Sequence, residues 1–117
     1  MNMAKYMYIF RGGAFVTASL SPAEMQAHLA KWYQWADGFA KAGRHNLGHP
    51  LENAGKTIRG RDRNVTDGPY AESKDLVTGS LVFDAASLEE AAELAKDCPI
   101  YEFGGSVEVR PVIAQGE

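Results

Sequence analysis

A chain of 117 residues with 45% hydrophobic and 23% charged side chains can build one core and is too apolar to stay unstructured. A net charge of −3 excludes a general nucleic-acid binder, which carries a basic balance. Cys98 is the only cysteine, which excludes an intramolecular disulfide and fits a reducing compartment.

The first predicted element is a strand over Ala4–Phe10, rich in Tyr, Ile and Phe. Met1 to Phe10 has no uninterrupted apolar core followed by a small-residue cleavage site, so a secretory leader is not expected. No run approaches the roughly 20 apolar residues of a membrane span, and the expected location is the cytoplasm. Ser21, Pro22 and Glu24 then make a helix start: Ser caps an orphan amide, Pro lacks the donor that would be wasted, and Glu reaches back. The helix runs to about Ala42 and stops at Gly43. Met25, Leu29, Trp32, Ala36 and Phe39 make its apolar stripe, with 28, 32, 35 and 39 as a second stripe beside it.

Asn46–Leu51 reads as a weak strand. Lys56–Arg59 and Asn64–Thr66 read as a short hairpin with Arg61-Asp62-Arg63 at its tip, and Asp67-Gly68-Pro69 as a turn. Val77–Asp84 is the strongest strand. Ser87 and Glu90 cap a second helix reaching about Asp97, Pro99 stops it, and Ser106–Ile113 is the last strand.

This order, strand–helix–strand, hairpin, strand–helix–strand, gives one α+β domain over residues 1–117. Two interleaved βαβ units place both helices on one face of a four-stranded sheet, the ferredoxin-like βαββαβ arrangement with a hairpin insert. With Met7, Ile9, Leu81, Phe83, Val107 and Val109 toward the helices, the open face carries Tyr6, Tyr8, Phe10, Thr78, Ser80, Val82, Glu108, Arg110 and Val112. Such an amphipathic face calls for cover, and a second copy closing a dimeric α+β barrel is the expected partner.

Asp67-Gly68-Pro69-Tyr70-Ala71-Glu72-Ser73-Lys74 resembles the signature of the DGPF-type branch of the YCII-related proteins, with Tyr70 where that signature has Phe. Lys56-Thr57-Ile58-Arg59-Gly60-Arg61 and Gly105-Ser106-Val107-Glu108-Val109-Arg110-Pro111 agree with it. The resemblance implies a dimeric barrel. It also implies kinship with cofactor-free lactone-processing and dehalogenating enzymes, in which a His in the first helix and an Asp before a Pro after the second form the proposed active pair. Here those two positions are assigned to Trp32 and Cys98, so the pair does not carry over. DGPF-type proteins also resemble accessory proteins encoded beside extracytoplasmic-function sigma factors, which implies a regulatory protein partner as the alternative role.

His28 is the catalytic candidate, because it lies one turn before Trp32 and histidine suits proton transfer near neutral pH. Glu24 can orient it; a boundary histidine, with Glu24 occupied in the cap, is the competing reading. A small organic ligand is expected to meet Tyr8, Trp32, Asp67, Tyr70, Glu72, Glu108 and Arg110. No cofactor or metal is expected: His45 and His49 stand four apart in a loop-strand segment without further ligands at metal spacing. Cys98, near a helix C-terminus, is expected to be a poor nucleophile. Arg59, Arg61 and Arg63 alternate along the hairpin, where they either dock an acidic surface or protect an edge by charge.

Overall fold

The computed structural model describes residues 3–13, 19–52, 54–68 and 75–114. Its elements are β1 (Ala4–Arg11), α1 (Pro22–Lys41), β2 (Leu47–Pro50), β3 (Lys56–Arg59), β4 (Asn64–Asp67), β5 (Val77–Ala85), α2 (Leu88–Ala95), a 3-10 turn (Pro99–Phe103) and β6 (Ser106–Pro111). β2, β5, β1 and β6 lie side by side in that order, every neighbouring pair antiparallel. β1-α1-β2 and β5-α2-β6 are therefore interleaved crossover units, and the α+β, ferredoxin-like reading holds. β3 and β4 pair only with each other, as the hairpin insert.

The caps form where the sequence calls for them. The Ser21 hydroxyl accepts the Glu24 amide and the Glu24 carboxylate accepts the Ser21 amide. At α2 the Ser87 hydroxyl accepts the Glu90 amide, but the Glu90 carboxylate takes the Ala86 amide together with the Arg44 guanidinium, tying the helix start to the end of α1.

The face assignment of β1 is reversed from the expectation. Tyr6 pairs with Phe83, Tyr8 with Leu81 and Val109, and Phe10 with Val107, so the aromatics share the face of the buried β5 side chains. Tyr6, Tyr8 and Phe10 are buried, while Met7 and Ile9 are only half-buried. The reason is area and fit: aromatic rings bury more surface than Met or Ile, and α1 brings Trp32, Trp35 and Phe39 to meet them. Tyr8 touches Phe10, Trp35, Phe39 and Phe83, with ring centroids 4.2 to 6.1 Å away. Its hydroxyl donates to the Ala91 carbonyl of α2, which offsets the cost of burying it.

The stripe of α1 shifts accordingly. His28, Trp32, Trp35 and Phe39 face the sheet, whereas Leu29 is 43% exposed. Two tryptophans outweigh a leucine and an alanine. The open face then carries Lys5, Met7, Ile9, Ser80, Val82, Asp84, Glu108 and Arg110. The radius of gyration, 15.9 Å, exceeds the roughly 13 Å of a compact chain of this length. The hairpin contributes to this, since only Thr57 in its two strands is less than exposed.

Truncating Phe83 to Ala should cost about 3–5 kcal/mol of unfolding free energy, and Tyr8→Phe about 1 kcal/mol. Urea denaturation measures both, and a near-zero cost for Phe83→Ala would contradict the aromatic layer.

Candidate functional site

The aromatic stripe of α1 ends in a polar residue. His28, the one buried polar side chain among the described residues, lies a turn before Trp32. Pro99 opens the 3-10 turn that carries Glu102 and Phe103 over it, and Gly104 closes that turn at a left-handed φ of 75°. Gly105 follows, where an added Cβ would lie 2.9 Å from the Arg11 carbonyl oxygen, so only glycine lets the turn lie this close to β1.

The imidazole meets Phe103 edge-on at 4.7 Å, and its Nε2 accepts the Trp32 indole N–H at 2.9 Å. That bond puts the ring proton on Nδ1. Nδ1 is buried and has no hydrogen-bond partner among the described residues; the carboxylate oxygen it faces, Glu102 Oε1, is 3.7 Å away, beyond hydrogen-bond length. Glu102 Oε2 accepts Lys31 Nζ at 2.7 Å. That bond, with the positive charge of Lys31, holds the Glu102 carboxyl below the usual carboxylate range.

Beside Glu102 the surface dips into an open cleft of about 380 Å³, lined by Lys31, Gln34, Trp35, Asp97, Cys98, Pro99 and Glu102. Burial pushes the Cys98 thiol up to about 12, so the cleft contains no thiolate nucleophile. The cation and carboxylate at the cleft, with the imidazole buried behind the carboxylate, suit a small polar ligand and a proton-transfer step.

The residues expected to line one pocket are not gathered there. His28 and Trp32 do not line the cleft: His28 is buried behind Glu102, with Trp32 as the donor that fixes the imidazole. Tyr8 is fully buried in the core and out of reach of a ligand. Glu108 and Arg110 lie on the opposite face of the sheet, where Glu108 pairs with Arg11 at 3.1 Å and approaches Arg110 at 3.9 Å. Asp67 is on the hairpin, ion-paired to Lys56 at 2.6 Å. Tyr70 and Glu72 lie outside the described residues. Glu24 is held in the cap of α1, and Glu102, from the far end of the chain, is the carboxylate that faces His28.

The family model described as the YCII-related domain matches residues 7–115. Over 61 residues the chain is 43% identical to an uncharacterized protein of Rhizobium meliloti (strain 1021), an alignment covering 51% of this chain and 44% of that protein. The chain thus matches less than half the length of that relative.

Because the Glu102 carboxyl is lowered in the fold, its contribution to stability is present above the ordinary carboxylate range and lost as pH falls through its folded value. Melting temperature should therefore fall more steeply below about pH 4 in the wild type than in Glu102→Gln. Parallel curves would contradict the Lys31–Glu102 contact.

Proposed function

The chain belongs to the YCII-related family, and on that premise we propose that it binds a small organic molecule bearing a carbonyl or carboxylate in the cleft between α1 and the turn after α2. One observation carries this reading: the buried His28 Nδ1 is left without a hydrogen bond among the described residues, facing a carboxylate at the mouth of a cleft. Native structures rarely leave such an atom unpaired without a use for it. In the resembling family the active pair is a helix histidine and a carboxylate after the second helix. Here His28 and Glu102 supply those groups from the same two elements, each four residues from the position first assigned.

A cofactor-free keto–enol step fits this arrangement. Glu102 takes a proton from the carbon beside the ligand's carbonyl and returns it to the carbonyl oxygen, and the Lys31 ammonium, which holds the carboxylate in place, faces that oxygen as it gains charge. The same ammonium keeps Glu102 a weak base, so binding is expected to be stronger than turnover is fast.

We further propose a homodimer formed through the open sheet face. Leu47, Val82 and Met7 lie in register across β2, β5 and β1, with Ile9 beside them, and make an apolar centre inside a charged border. The partner-binding alternative rests on a separate feature: Ile58 and Val65 pair across the hairpin and are 65% and 57% exposed near the Arg61 turn.

A panel of small keto and carboxylic acids should contain compounds that raise the melting temperature of the wild type but not of Glu102→Gln or Lys31→Met. If no compound shifts the wild type, the ligand reading fails. Light scattering should give about twice the 12.7 kDa chain mass, and substituting Val82→Glu should halve it. A monomer mass for the wild type would contradict the dimer. Loss of binding to a captured protein in Arg61→Glu, with no compound shifting the melt, would favour the alternative.

A further inference from the structure

A second histidine meets a carboxylate on the other side of the sheet. Gly43 ends α1 at φ 73°, and His45 follows in the same left-handed region at φ 46°. Residues with a Cβ are uncommon there, and the surrounding structure has to impose the conformation. It does so on both flanks. The Arg44 carbonyl accepts the Asp84 amide at 2.8 Å, and the Arg44 guanidinium donates to the Asp84 carbonyl at 3.1 Å and to Glu90 at 2.9 Å. Asn46 donates to the Ala36 carbonyl at 3.3 Å.

Held in this way, His45 Nδ1 lies 3.0 Å from Asp84 Oδ2, while Lys5 Nζ donates to Asp84 Oδ1 at 3.2 Å. The Asp84 side chain is only 17% exposed, whereas that of His45 is 80% exposed. Partial burial of Asp84 acts to raise its pKa, but the hydrogen bonds from His45 and Lys5 outweigh it and hold the carboxyl below its usual range. An ionised Asp84 has no proton to give, so the shared proton sits on Nδ1 and the lone pair on Nε2, at the far edge of the ring. An imidazole so oriented by a carboxylate can take a proton from water. Lys5 adds a positive charge on the same carboxylate.

We propose that Lys5, His45 and Asp84 form a second, cofactor-free site that hydrolyses small carboxylic esters. His45 Nε2 takes a proton from water as the water oxygen bonds to the ester carbonyl carbon, and the Lys5 ammonium faces the oxyanion that forms. Collapse of the tetrahedral intermediate breaks the acyl–oxygen bond. The imidazolium returns its proton to the leaving alkoxide, so that one water is consumed and an acid and an alcohol are released. Asp84 is a positioning residue, acting through the ring. His45 precedes β2, so a second copy centred on Met7 and Val82 would leave it at the rim.

The test is hydrolysis of p-nitrophenyl butyrate by the full chain, with melting curves to establish that each variant folds. His45→Gln is expected to lose about 100-fold in rate over background. His49→Gln, another exposed histidine on the same face, is expected to keep the wild-type rate. Nitrogen-15 spectra should show the His45 proton on Nδ1, moving to Nε2 in Asp84→Asn as the rate drops. Equal rates for the wild type and His45→Gln, or a wild-type His45 protonated on Nε2 when neutral, would overturn the proposal. His45 is exposed, so its substitution carries the test even if Asp84→Asn does not fold.

Discussion

The orientation of β1 is the constraint on which everything else depends. Between Lys5 and Arg11 the strand is apolar on both sides: Tyr6 through Phe10 are all apolar or aromatic, and only the charges at the two ends mark one set as outward. The aromatics win because Trp32, Trp35 and Phe39 offer them edge-to-face and stacked partners, and because Tyr8 finds the Ala91 carbonyl for its hydroxyl. Once Tyr8 is inward, Met7, Ile9, Lys5 and Arg11 must be outward, and the character of the open face follows.

The same layer builds the cleft. Phe10 meets Trp32 edge-on at 5.1 Å, Trp32 donates to His28, and His28 lies under the turn that carries Glu102. The imidazole is thus the polar end of an aromatic stack, and its tautomer is set by a core residue. That explains how a titratable group comes to be buried next to a charged pair without joining it. On the opposite face, Arg44 performs the analogous service for His45, bracing the chain between α1 and β5.

Local chemistry was legible in the sequence, and long-range partnership was not. The Ser21-Pro22-Glu24 start, the Ser87 cap and the interleaved crossover units can all be read from residues a few places apart. The inward face of β1 is ambiguous over Tyr6–Phe10, where both sets are apolar; its sign lies in Lys5 and Arg11, which share the Met7/Ile9 side, and the pairing of Tyr8 with Leu81 agrees with it. His28 cannot be matched to Glu102, nor His45 to Asp84, since each pair joins elements that meet only in three dimensions. The resemblance places its pair at Trp32 and Cys98, each four residues from His28 and Glu102, the two groups that face one another. Asp67, the first residue of the quoted signature, turned out to serve the hairpin through Lys56.

The inward face of β1 is reported directly by proton–proton contacts in a nuclear Overhauser spectrum. The Tyr8 ring should show cross-peaks to the Trp35, Phe39 and Phe83 rings, with the Met7 and Ile9 methyls showing none to those aromatics. Strong contacts from the Ile9 methyls to Trp35, with Tyr8 connected only to open-face residues, would contradict the fold, the cleft and the open face together.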